Sequence, residues 1–151
     1  MGHECLIEDQ KETPTIVRET TVAVEGLPAF LGATFGPIVG HIQKKSARPA
    51  GMPFVIYYNM DMKALKVEAG FPVDWKIDGE GDMVPSMLPP CKIASTMHVG
   101  PYDSVKPAYD DLMTFVKERG LVPTGIAYEM YFDGPETQPE KIRTRIVFQL
   151  A

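Results

Sequence analysis

Apolar and β-branched residues recur along this chain in short runs, separated by glycine, proline and acidic punctuation. Runs of this kind predict strands at 16–24, 54–58, 65–73, 93–99, 125–132 and 142–150. The stretch 29–35, after Pro28, reads as a continuing edge strand, and 83–88 as a short edge strand because of Pro85. Gly36-Pro37 opens a helix running to about Ser46, with Ile38 and Ile42 on one face. Gly100-Pro101-Tyr102-Asp103 opens a longer one. There Tyr102, Val105, Tyr109, Leu112 and Val116 recur at helical spacing, and Gly120 supplies the stop. Pro107 falls in that helix's expected second turn, where it removes a hydrogen bond. Residues 1–13 are polar and read as a flexible tail, leaving 14–151 as a single domain.

The pattern repeats. Strand, helix, strand, strand occurs twice, each helix opened by Gly-Pro and each unit preceded by Leu-Pro. The run Phe54-Val55-Ile56-Tyr57-Tyr58 parallels Tyr128-Glu129-Met130-Tyr131-Phe132. The expected fold class is therefore α+β. Two β-α-β-β repeats related by a pseudo-twofold would form an antiparallel sheet, with helices on one face and a ligand groove on the other. Glu129, Tyr131, Val55 and Tyr57 would then point into one shared cavity.

Within the strand at 125–132 the side chains alternate. Ile126, Tyr128, Met130 and Phe132 share one face; Ala127, Glu129 and Tyr131 share the other. A carboxylate among aromatics is costly to bury unless something pairs with it. Two readings of Glu129 stand at this point. Either it lies on the solvated face of an antiparallel strand, or it lines an aromatic pocket suited to a polar or cationic ligand.

Composition narrows the function classes. The net charge is −5 and the basic residues are dispersed, apart from Lys44, Lys45 and Arg48. A nucleic-acid binder would show a basic face, so no direct nucleic-acid binding is expected. No apolar run is long enough to suggest a membrane span, and no leader pattern is present. Cys5 and Cys91 read as reduced thiols, which with the missing leader implies a cytoplasmic setting. His3, His41 and His98 are scattered and neither cysteine has metal-ligand spacing, so no metal and no cofactor are expected.

Gly51-Met52-Pro53-Phe54 with Tyr57-Tyr58, then Val67-Glu68-Ala69-Gly70-Phe71-Pro72-Val73, resembles the first half of a GyrI-like domain. His98-Val99-Gly100-Pro101-Tyr102, the following helix and Tyr128-Glu129-Met130-Tyr131 resemble its second half. The resemblance spans about residues 14 to 151 and covers the effector-binding domains of AraC-type and MerR-type regulators and stand-alone forms. It implies two β-α-β-β units around a ligand groove, with Glu129 matching a glutamate that faces cationic lipophilic ligands. Tyr131, Tyr57, Val55, Trp75 and Tyr102 are the residues expected beside it.

The implied function is that of a stand-alone binder of amphipathic compounds, cations among them, sensing or sequestering drugs or toxins. The resemblance also admits a hydrolase of strained cyclopropane-type electrophiles, in which Glu129 would act on water and a tyrosine on the developing anion. A third reading is a protein-interaction inhibitor like the DNA gyrase inhibitor. The expected partners are thus a lipophilic or cationic small molecule and, in the third case, a protein.

Overall fold

The computed structural model describes residues 3–134 and 136–151. Met1 and Gly2 of the expected tail, and Pro135 of the expected loop 134–140, lie outside the described residues. In chain order the elements are β1 (Cys5–Gln10), β2 (Thr13–Val22), α1 (Leu27–Gly32), α2 (Phe35–Lys44), β3 (Phe54–Tyr57), β4 (Leu65–Pro72) and β5 (Val84–Leu88). They continue as β6 (Cys91–Val99), α3 (Lys106–Glu118), β7 (Pro123–Tyr131) and β8 (Arg143–Leu150). The chain divides into two compact units, Lys11–Pro90 and a second in which Cys91–Ala151 is joined by the segment ending at Gln10.

In the Lys11–Pro90 unit the strands lie in the order β5-β2-β4-β3, all antiparallel. Ile16 of β2 stands opposite Phe71 of β4, and both meet Ile38 and Ile42 of α2 in a core completed by Ala47, Val73 and Ile77. In the other unit the order is β1-β6-β8-β7, again antiparallel. Ala94, Ala127, Ile146, Phe148 and Leu150 from its strands pack on Ala108, Leu112 and Val116 of α3. Burial of a side chain the size of Leu112 contributes about 1.5–3 kcal/mol. Each unit therefore runs strand, helical segment (α1 and α2 in one, α3 in the other), strand, strand along the chain, with one further strand beside the first. Both carry their helices on the face whose alternating residues are apolar.

Three expectations need correction. The segment expected to be a loose tail contains β1, which pairs with β6 over six residue pairs from Cys5↔Thr96 to Gln10↔Cys91. Its apolar positions Cys5 and Ile7 pack against the α3 core, while the acidic residues around them disguise the alternation. The stretch 29–35 is not an edge strand. Pro28 sits in the first turn of α1, where a missing N–H costs nothing, and Thr34 closes that helix by donating its hydroxyl to the Phe30 carbonyl at 2.7 Å. Finally, α3 begins later than expected. A single 3-10 turn over Tyr102–Ser104 intervenes, so Pro107 falls in the first turn of α3 and removes no helical bond. Gly120, at φ +69°, ends that helix in the left-handed conformation that glycine adopts without strain.

Candidate functional site

β7 places Ala127, Glu129 and Tyr131 on the face that carries α3, as the alternation requires. Ala127 lies opposite Phe148, Glu129 opposite Ile146 and Tyr131 opposite Thr144. Ala127 is buried in the core, and Glu129 and Tyr131 are half-buried at its margin. The sequence reading put the ligand groove on the face opposite the helices, whereas Glu129 stands on the helix-bearing face. The reason is its two-residue spacing from Ala127, which packs under α3.

Both carboxylate oxygens of Glu129 hold phenols. Tyr109, from α3, donates its hydroxyl to Oε2, and Tyr131 donates to Oε1 at 3.0 Å. The Tyr109 ring is held in turn against Phe148, with centroids 5.8 Å apart. Tyr131 meets the ring of Tyr102 edge-on, at 5.6 Å and 88°. Such aromatic pairs add about 0.5–1.5 kcal/mol beyond burial. The result is one acidic group bonded by two tyrosines, from β7 and α3, with a third from the turn before α3 packed on Tyr131.

Fixed charges border the cluster. Asp133 receives Arg143 as a fork, Nε at 3.1 Å and Nη2 at 3.0 Å, and also accepts the Arg143 backbone N–H at 2.8 Å. These bonds hold the Asp133 carboxyl below its ordinary range and the guanidinium above its own. Burial, and secondarily the Asp133 charge, push the Tyr102 phenol upward, so it remains protonated at neutral pH.

Of the other expected residues, Val55 and Tyr57 lie on β3 in the other unit. They stand opposite Ala69 and Val67 on the helix-bearing face, and both are buried. Trp75 follows β4 and is 55% exposed. Sequence reasoning missed Tyr109 as a partner of Glu129, taking it only as part of the apolar helix face. The signal was its phenol, a polar tip on an otherwise core-facing position. Among the described residues no group of His, Cys, Asp and Glu side chains fits a metal ion. No helix among them is long and apolar enough to cross a membrane. Two surface hollows, about 270 and 250 Å³, lie around Glu19, Glu68 and Lys66 in one unit and around Glu8, Ser95 and Arg145 in the other. Neither is lined by Glu129, and chemistry rather than hollow size singles out the tyrosine-ringed carboxylate.

The model of the GyrI-like small molecule binding domain matches residues 4–151. No curated protein matches the chain. Among solved structures, the EcmrR–DNA complex aligns with a TM-score of 0.83 at 22% identity, covering 98% of this chain and 57% of that one. The chain thus spans little more than half of that regulator. The crystallised C-terminal domain of EcmrR aligns over 100% of this chain and 99% of its own, with TM-score 0.80 and 21% identity. SAV2435 bound to tetraphenylphosphonium aligns with TM-score 0.68 and 12% identity, over 98% and 94% of the two chains. At such identities these structures establish the fold.

Proposed function

The chain belongs to the GyrI-like small-molecule-binding domain family, and from that premise we propose that it binds amphipathic organic cations at Glu129. The observation that carries this reading is a half-buried carboxylate whose two oxygens are set by Tyr109 and Tyr131, with Tyr102 packed on the latter. Holding a carboxylate out of water costs free energy that a cation beside it offsets. Tyrosine faces add about 0.5–2 kcal/mol of cation–π attraction to an organic cation. The phenol bonds also fix the carboxylate in place before a ligand arrives, which lowers the ordering cost of binding. SAV2435, of similar fold, has been solved with tetraphenylphosphonium, a lipophilic cation of this class.

Isothermal titration with tetraphenylphosphonium, and with the uncharged triphenylphosphine oxide of related shape, tests the proposal. Glu129→Gln is expected to weaken the cation by about tenfold or more, equivalent to ~1.4 kcal/mol, and to leave the neutral compound within about twofold. Equal affinities of the two proteins for the cation would remove Glu129 from recognition. Tyr57→Ala and Trp75→Ala, measured alongside, show whether those two residues also meet the ligand. Recovery of unchanged ligand after long incubation is the expected result for a binder, and stoichiometry-exceeding product would mark a hydrolase instead.

A further inference from the structure

His98 is 6% exposed and ends the helix-bearing face of β6, directly opposite Thr144 of β8. Its Nε2 lies 3.1 Å from the Pro101 carbonyl oxygen. A carbonyl only accepts, so Nε2 carries the proton and donates. Ser104 Oγ closes the same turn, donating to that carbonyl at 2.9 Å and lying 3.4 Å from Nε2. The Ser104 N–H also reaches the Pro101 oxygen, at 3.1 Å. Gly100 makes this closure sterically possible. It has φ +141°, where an L side chain is strained, whereas a Cβ there would meet His98 Nε2 only in ordinary contact at 3.4 Å. Its own N–H is held by the Ile142 carbonyl at 2.8 Å. The tethered turn carries Tyr102, whose ring meets Tyr131 edge-on, and Tyr131 donates to Glu129.

We propose that His98 is a positioning residue: its Nε2–H pins the Gly100–Ser104 turn and so fixes Tyr102 against Tyr131. A ligand at Glu129 then senses the imidazole through the aromatic wall, without touching it. The inference rests on the binding reading for its effect on affinity, but the pin itself is a property of the unliganded protein. Its donor requirement is specific. With Nε2 committed as the donor, Nδ1 of the neutral ring is a buried acceptor, and neither Nδ1 nor the hydroxyl of Thr144 has a hydrogen-bond partner among the described residues. Hydrogen bonds therefore hold the ring through Nε2 alone, and its other neighbour is the His3 ring, 5.9 Å away between centroids. Loss of the Nε2–H leaves the turn without its side-chain hydrogen bond to β6, with the Gly100 N–H to the Ile142 carbonyl still in place.

The test compares His98→Gln, whose amide keeps an N–H near the Nε2 position, with His98→Leu, which has none. Hydrogen exchange of the Ser104 amide and the 19F resonances of 3-fluorotyrosine, assigned with Tyr102→Phe, read the unliganded turn. His98→Leu is expected to speed Ser104 exchange by about tenfold and to shift the Tyr102 signal, and His98→Gln to stay within about threefold of the parent. His98→Asn, whose shorter amide falls short of the Nε2 position, is expected to act like His98→Leu; it decides the matter if the leucine variant does not fold. Equal behaviour of the Gln and Leu variants, or an unmoved Tyr102 signal, overturns the proposal. In titrations with tetraphenylphosphonium, His98→Leu is expected to weaken binding about fivefold in the parent and not at all in a Tyr102→Ala background. An undiminished effect without Tyr102 also overturns it. Failure of the parent protein to bind the cation overturns the binding reading alone, since the exchange and fluorine measurements still decide the pin.

Discussion

Two glutamates face each other across β2 and β4, Glu19 opposite Glu68. Like charges at directly opposed positions destabilise a strand pair. Burial chiefly, and Glu19 in addition, push the Glu68 carboxyl above its ordinary value, although hydrogen bonds from Tyr58 and Ser86 partly oppose the shift. The sign of the linkage follows. An acid whose folded pKa is raised binds its proton more tightly in the native state, so its stabilising contribution is present at low pH. That contribution is lost as pH rises from the ordinary value of 4.5 to the raised one. Glu68→Gln is expected to raise the melting temperature at pH 7 by about 1–3 °C and to flatten the slope above the ordinary carboxyl range. A variant that melts no higher than the parent at pH 7 would show that the pair is not strained. At this scale the sequence revealed orientation better than partnership. The alternation put Glu129 and Tyr131 on one face, as found, but a hydrogen bond from Tyr109, twenty residues earlier, has no periodic signature. Nor does the exposure of Trp75, which follows from its position just beyond the end of β4.

Elements that pair with a sequence neighbour, or that punctuation brackets, were legible; elements defined by remote partners were not. β3 and β4 follow from alternation and the turn at Asn59, and β5 is an edge strand as Pro85 demands. β1 was missed because its partner β6 lies more than eighty residues away and its outward residues are acidic. α1 was missed because glycine and proline in 27–37 read as breaks, when two short helices accept both prolines in their first turns. Close strand approach is likewise invisible to alternation. Gly70 of β4 lies between Val17 and Phe54, and a Cβ there would stand 1.9 Å from the Ile16 carbonyl oxygen. Substituting alanine for glycine gains about 0.4–1 kcal/mol through the unfolded chain where the space exists. Here the obstacle is backbone, which yields only by moving β2 away from β4. Gly70→Ala is expected to cost about 2–4 kcal/mol by urea denaturation. A cost below that of an ordinary surface change would mean that the ladder opens there without resistance.

For the whole chain, the two units share one internal strand order, but Gly-Pro opens neither helix: Gly36-Pro37 lies inside the first turn of α2, and Gly100-Pro101 precedes the turn that leads into α3. The charge of −5 is a property of the same scale and offers a rival explanation for any cation binding. Diffuse attraction to an acidic surface and pairing with one carboxylate differ in their response to salt. The Debye length falls from about 10 Å at 0.1 M to about 3 Å at 1 M, which removes long-range attraction but screens a partly buried contact pair much less. Tetraphenylphosphonium affinity is therefore expected to fall by less than about threefold between roughly 0.1 M and 0.5 M sodium chloride. The ratio of parent to Glu129→Gln affinity is expected to hold nearly constant over that range. If affinity drops by tenfold or more and the two proteins converge as salt rises, the cation is attracted by the net charge and not by the tyrosine-ringed carboxylate. Because apolar attraction strengthens with salt, a parallel titration with triphenylphosphine oxide supplies the correction.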